Sequence, residues 1–308
     1  MRDAFAREMA SLATERNELT LLSGDIGNRM FDHFKQVAPE RFFNCGIAEA
    51  NMMSMAAGMA LSGLRPVIYT ITPFTTTRCL EQIRVGVAYH QAPVVIVGTG
   101  SGLSYAELGP THHSLEDMAI LRTLPGMNVL APADTAELEA QLREALDSDN
   151  PTYMRIGKKG EPRLHQAGHE LGIGKGRLLR EGDDLLVLGV GPILGEAMEA
   201  AAVLELSGGP SVAVASLGGV KPLDDQFLRS MISRYSVWFS LEEHSIIGGL
   251  GSAVLEWLSD QNNSSVQLHR IGVEDSFLHD LGNQAYMRKI CNLSAERLAQ
   301  TFKEKFRD

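Results

Sequence analysis

The sequence predicts an α/β fold of two consecutive domains, each a mainly parallel sheet flanked by helices. Three observations predict it. Short apolar runs alternate with helical patterns from one end of the 308-residue chain to the other. The apolar runs are continuous, as in strands buried on both faces, and not alternately polar. One stretch, 157–176, rich in glycine, lysine, histidine and proline, interrupts the alternation and reads as a linker. Alternating strand and helix signals imply parallel sheets covered by helices on both faces. A chain of 308 residues suggests about two domains of ~150 residues each.

In the first block, strands are expected at 19–22, 41–44, 66–70, 93–97, 128–131 and 151–156, each a short apolar run such as Leu19-Thr20-Leu21-Leu22. Helices are expected at 52–61, where the residues are almost all small or soft. They are also expected at 78–89, 115–124 and 135–146, where apolar residues recur with helical spacing. The second block repeats the alternation: strand 184–189, helix 194–206, strand 211–216, helix 224–235, strand 236–241, helix 249–260 and strand 266–271. A closing helix at 294–306 is capped by Ser294, with Glu296 in its first turn. The expected division is a first domain over 1–160, a linker over 161–175 and a second domain over 176–308. The chain has no internal repeat and no low-complexity tract.

Composition narrows the function. Net charge is −10 and no basic cluster exceeds two residues, which argues against nucleic acid or an anionic membrane as the main partner. No apolar run approaches the ~18 residues needed to span a bilayer. The start, Met1-Arg2-Asp3-Ala4-Phe5, lacks the apolar core of a secretory signal. Three widely spaced cysteines, Cys45, Cys79 and Cys291, form no metal spacing or disulfide framework, so a reducing cytoplasm is the expected compartment.

Glu49 carries the strongest chemical signal. It lies in Cys45-Gly46-Ile47-Ala48-Glu49-Ala50-Asn51-Met52-Met53, between the strand at 41–44 and the small-residue helix. A carboxylate at that corner points toward packed, low-dielectric surroundings, where its charge is costly unless a partner claims it. An acidic residue there could also serve the orphan amides of the helix start.

The run from Gly46 to Gly63 resembles the pyrimidine-binding segment of transketolases, with Ala50 where that family usually has glutamine. The resemblance continues through Val220-Lys221-Pro222-Leu223-Asp224 and through Glu242-Glu243-His244-Ser245-Ile246-Ile247-Gly248-Gly249-Leu250-Gly251-Ser252, and covers nearly the whole chain. Gly248 to Gly251 lacks dinucleotide-binding spacing and reads as close helix–strand packing. The resemblance implies that Glu49 protonates the aminopyrimidine of thiamine diphosphate. The resulting imino tautomer removes the thiazolium proton and generates the ylide nucleophile. A complete transketolase has a further domain, whose G-D-G…N segment holds Mg²⁺ and the cofactor's diphosphate. Here Gly24-Asp25 is followed by Ile26, and no cluster of oxygen ligands suits Mg²⁺. The resemblance therefore implies one half of a split enzyme, with diphosphate and Mg²⁺ on a second, N-terminal transketolase subunit, in an alpha2beta2 assembly.

The same resemblance implies further site residues. Phe74, in Thr72-Pro73-Phe74-Thr75, matches the phenylalanine that stacks on the aminopyrimidine, and a flat aromatic suits a flat heterocycle. Ile71 stands where many members have another phenylalanine. His112, in Gly109-Pro110-Thr111-His112-His113, matches the histidine that contacts substrate hydroxyls or phosphate. Arg2 and Lys158 match two phosphate-binding positions; guanidinium binds phosphate bidentately, lysine as a point charge. Two hydroxyl-reading residues of the family, a histidine and an aspartate, are replaced by Gly100 and Leu108. Buried polar partners of that kind discriminate hydroxylated substrates strongly.

The expected function is the beta-type subunit of a two-subunit, thiamine-diphosphate-dependent transketolase that moves a two-carbon ketol unit between sugar or sugar phosphate substrates. Decarboxylation of a 2-oxo acid, by an enzyme of dehydrogenase or deoxyxylulose-phosphate-synthase type, is the alternative. A non-catalytic regulatory subunit is the third reading.

Overall fold

In the computed structural model, which describes residues 1–27, 29–261 and 265–307, twelve strands form two sheets among the described residues. In chain order they are β1 Leu19–Ser23, β2 Phe42–Asn44, β3 Arg65–Ile71, β4 Val95–Thr99, β5 Asn128–Leu130, β6 Thr152–Ile156, β7 Arg177–Arg180, β8 Leu185–Gly189, β9 Val212–Ser216, β10 Gly219–Lys221, β11 Val237–Ser245 and β12 Gln267–Val273. The first sheet has the order β10-β5-β6-β4-β3-β1-β2, the second β12-β11-β8-β9-β7. Every pairing is parallel except those of β10 with β5 and β7 with β9.

The continuous apolar runs behave as expected for strands covered on both faces. β1, β4, β6, β8 and β9 are buried at every residue. Alternate residues of the first sheet enter two cores. Leu22, Ile68 and Ile96 meet Met52, Met53 and Ala56 of the helix Glu49–Leu61 on one face. Leu21, Val67, Val95 and Val97 meet Phe5 and Met9 on the other. Burial of each such side chain stabilises by about 1.5–3 kcal/mol, so small soft residues in that helix serve close packing on the sheet.

Several expectations change. The helix Arg2–Glu15 was not foreseen, yet it docks on the first sheet, with Phe5 stacked on Tyr69 at 5.4 Å. The strands β7 and β10 were also not foreseen. β10 lies beyond the expected linker in sequence but completes the edge of the first sheet, pairing Gly219 with Leu130. The expected helix 78–89 is broken into a tight turn Thr77–Cys79, a helical turn Leu80–Gln82 and a wide π-type turn Ile83–Tyr89. The expected helix 115–124 shortens to Asp117–Arg122. Its first turn is lost because the carbonyl of Leu115 accepts from the Ser245 amide of the second domain, at 2.9 Å. Ser294 occupies the cap position of the last helix, but its hydroxyl bonds the Glu296 carboxylate and not a backbone amide.

A buried polar network joins the domains and frames the site. Asp117, 2 % exposed, accepts from the Tyr153 hydroxyl at 2.5 Å and from Arg155 Nη1 at 2.9 Å. Arg155 also donates to the Glu243 carbonyl. The 242–252 motif thereby acquires a structural role. Glu242 accepts from the amides of Leu250 and Gly251 at 2.7 and 2.9 Å and so caps the helix Leu250–Asp260. A Cβ at Gly249 would lie 2.0 Å from Glu242 Oε2, so the glycine there serves close helix–strand packing.

Candidate active site

Glu49 sits where β2 gives way to a helix that starts on Glu49 itself. The cap position is Ala48 and no side chain caps that helix, so the carboxylate is not spent on its own amides. Glu49 is 3 % exposed and, among the described residues, its carboxylate accepts one hydrogen bond, at 3.0 Å from Arg78 Nη1. An unpaired buried carboxylate costs several kcal/mol, and Arg78 offsets that cost here. The Arg78 side chain is 45 % exposed, so this partner can move.

Phe74 lies in the helical turn Thr72–Thr75 that follows β3 and is half-buried. The Arg78 guanidinium lies over its ring, 4.1 Å from the centroid. The ring of His112 meets Phe74 edge-on at 5.2 Å and 69°. Burial first, and the Arg78 charge second, hold His112 below its ordinary value of 6.5, so it is neutral at pH 7. The His112 ring also meets the ring of Tyr105 edge-on, at 6.2 Å. Tyr105 carries the Lys158 ammonium over its face at 4.4 Å, and Lys158 is ion-paired with Glu107. Arg2 Nε donates to the Lys158 carbonyl at 2.8 Å.

Glu49, Phe74, His112, Lys158 and Arg2, all singled out by the sequence, therefore lie along one line of contacts. Arg78 and Tyr105 are the links that sequence reasoning missed. The signal for Arg78 was its place at the head of an amphipathic segment four residues after Phe74. Nothing in the local pattern marked Tyr105. Gly100 adopts φ of 88°, and a Cβ there would lie 2.1 Å from Tyr105 Cδ2. Leu108 is 49 % exposed and offers only an alkyl chain. Burial, then the Glu49 carboxylate, pushes the Cys79 thiol up to about 12, which makes it a core group and not a nucleophile. A cavity of about 430 Å³ lies between His113 and residues 273–278, and neither Glu49, Phe74 nor His112 lines it.

One flat, donor-bearing cation, the guanidinium of Arg78, thus engages the Glu49 carboxylate and the Phe74 face together. The same pair suits a flat aminopyrimidine, with a stacking surface on one side and a buried carboxyl at its edge. The described residues contain no group of three or more His, Cys, Asp or Glu side chains arranged to hold a metal ion. No helix among them is long and apolar enough to cross a membrane.

Residues 1–161 match the model of the transketolase pyrimidine binding domain, and residues 174–297 that of the transketolase C-terminal domain. The chain belongs to the transketolase family. It is 34 % identical over 306 residues to the 6-deoxy-6-sulfo-D-fructose transketolase subunit of a Clostridium species, covering 99 % of this chain and 94 % of that one. It is 33 % identical over 276 residues to an apulose-4-phosphate transketolase subunit of Phocaeicola vulgatus, covering 89 % and 87 %. A solved structure described as a split gene transketolase, inactive beta4 tetramer, superposes with a TM-score of 0.88 at 31 % identity, covering 99 % of this chain and 97 % of that one. The transketolase family uses thiamine diphosphate, and the Glu49–Phe74 pair fits the pyrimidine end of that cofactor.

Proposed function

We propose that this chain is the beta-type subunit of a two-subunit, thiamine-diphosphate-dependent transketolase, active only when a second chain completes the site. It transfers a two-carbon ketol unit between sugar or sugar phosphate substrates. The observation that carries the reading is the Glu49 carboxylate and the Phe74 ring engaged together by one flat, donor-bearing cation. Thiamine diphosphate, when bound, supplies the carbanion that takes up the ketol unit. Glu49 places its buried carboxyl where it can exchange Arg78 for the edge of the pyrimidine and pass a proton to that ring. Phe74 presents its face to the ring. His112, neutral at pH 7, hydrogen-bonds substrate oxygens, and Lys158 and Arg2 attract the anionic end of a substrate. The diphosphate and Mg²⁺ are assigned to an N-terminal transketolase subunit, in an alpha2beta2 assembly in the cytoplasm, with domains dividing near 161–175. The names of the two relatives, both transketolase subunits, support the division of labour.

The test is reconstitution with a candidate N-terminal subunit carrying the diphosphate-binding segment. Ketol transfer from a ketose phosphate to an aldose phosphate, lost in Glu49→Ala, is the expected result. Carbon dioxide release from pyruvate without ketol transfer overturns the reading in favour of a decarboxylating enzyme. Normal turnover by Glu49→Ala overturns the assignment of that residue.

A further inference from the structure

We propose that Tyr105 is the specificity-determining residue of this site: its ring replaces a hydroxyl-reading side chain at position 100 and converts that wall from polar to aromatic. The proposal rests on the transketolase reading above. By resemblance, other members read substrate hydroxyls with a histidine at position 100 and an aspartate at 108. Here Gly100 lies at φ of 88°, a region that residues with a Cβ rarely adopt. A Cβ built there would stand 2.1 and 2.2 Å from Cδ2 and Cε2 of Tyr105. The ring thus fills the volume into which a side chain at 100 would project, and Leu108 restores no hydrogen bond.

The ring is held in that place. Tyr105 is 8 % exposed. The amides of Gly100 and Ser101 both donate to the Ile156 carbonyl, at 2.9 and 3.1 Å, which ties the start of the loop to β6. The Leu103 amide donates to Glu243 Oε1 at 2.6 Å, which ties its middle to the second domain. The Ser104 hydroxyl donates to the Ser101 carbonyl at 2.7 Å. Tyr105 then stands between the His112 imidazole and the Lys158 ammonium. A substrate lying along these groups meets the Tyr105 ring at the place where a side chain at position 100 would have offered a donor or acceptor.

A wall built to hydrogen-bond a hydroxyl rejects the analogue lacking it by about 10⁴–10⁵, whereas an apolar wall disfavours an added hydroxyl by only about 10². The class of substrate that fits is therefore an aldehyde or ketose that carries hydrogen in place of that hydroxyl and ends in an anion.

The experiment uses the reconstituted holoenzyme and two acceptors, an α-hydroxy aldehyde phosphate and its deoxy analogue, and reads the ratio of their kcat/KM values. The wild-type ratio is expected within about 100-fold of unity. Tyr105→Ala shifts it at least about tenfold toward the hydroxylated acceptor, because water and backbone dipoles then line the wall. Tyr105→Phe, which keeps the ring, keeps the ratio. A wild-type preference above about 10⁴ for the hydroxylated acceptor overturns the assignment. So does an unchanged ratio in Tyr105→Ala, or a Tyr105→Phe shift as large as that of Tyr105→Ala. If Tyr105→Ala does not fold, Tyr105→His takes its place, with the same shift expected and an unchanged ratio again fatal. Exchange of the thiazolium proton of thiamine diphosphate without substrate separates the two levels. No exchange in the wild type sinks the transketolase reading and this inference with it. Exchange with an unchanged ratio sinks the role of Tyr105 alone.

Discussion

Glu49 and Glu243 are both buried glutamates paired with arginine, and they differ in how completely they are satisfied. Glu243, 5 % exposed, accepts from the Leu103 amide, from Gln284 Nε2 and from Arg288 Nε through its carboxylate, and from Arg155 through its carbonyl. The carboxylate of Glu49 has one donor, on a side chain that is itself 45 % exposed. A saturated carboxylate is part of the frame, because any movement leaves several donors unpaired. A carboxylate with one movable partner can exchange it for a ligand. Burial alone does not distinguish the two roles; the count and mobility of the partners do.

Four predictions bear on this contrast. The largest effect belongs to Glu49→Gln, which keeps the shape and loses the group that can exchange a proton with the pyrimidine. Thiazolium proton exchange on the reconstituted holoenzyme should fall by about 10²–10⁴-fold, with little change in the melting temperature of the chain. A loss below about tenfold would make Glu49 no more than another frame residue. Next comes Glu243→Ala, which leaves the Leu103 amide and Gln284 without their acceptor and Arg288 with Glu196 as its remaining partner, and should cost about 1–3 kcal/mol in urea unfolding. A cost below about 1 kcal/mol would show that the domains do not depend on that pin.

Smaller effects test the movable partner. Arg78→Lys keeps the charge but loses the planar stacking on Phe74, worth about 0.5–1 kcal/mol. Thiamine diphosphate should then bind about two- to fivefold more tightly in titrations of the holoenzyme, because it no longer displaces a stacked guanidinium. Weaker binding would make Arg78 a positioning group for Glu49. The smallest effect is the pH response of His112. Its value lies below 6.5, so the neutral form persists at pH 7 and protonation sets in only at more acid pH than for a free imidazole. KM for the substrate should rise a few-fold as pH falls through that lowered value, and His112→Asn should flatten the rise. A rise centred above pH 6.5 would contradict the burial of His112.

Much of the candidate site was legible because it is carried by short motifs. Glu49 stands at a strand-to-helix corner, Phe74 follows the next strand and His112 sits in a Gly-Pro-Thr-His loop, so neighbouring residues announce each of them. Arg78 was not legible, because its value lies in joining Glu49 and Phe74 in space. Tyr105 was not legible either. Gly100 showed that a side chain was missing, but the ring that fills its place comes from five residues further along a folded loop. Glu243 and Leu103 stand 140 residues apart, and no periodicity reports such a contact.

By itself, the amino-acid sequence determined the two α/β blocks and their buried strands and singled out Glu49, Phe74 and His112 as candidates, since periodicity and local motifs act over a few residues. The tertiary structure decided the rest. It moved β10 across the expected boundary into the first sheet, gave Glu49 a movable arginine, and closed the space beside Gly100 with an aromatic ring. Those outcomes depend on which distant groups satisfy one another's hydrogen bonds, charges and volume, and that is settled only when the chain is packed.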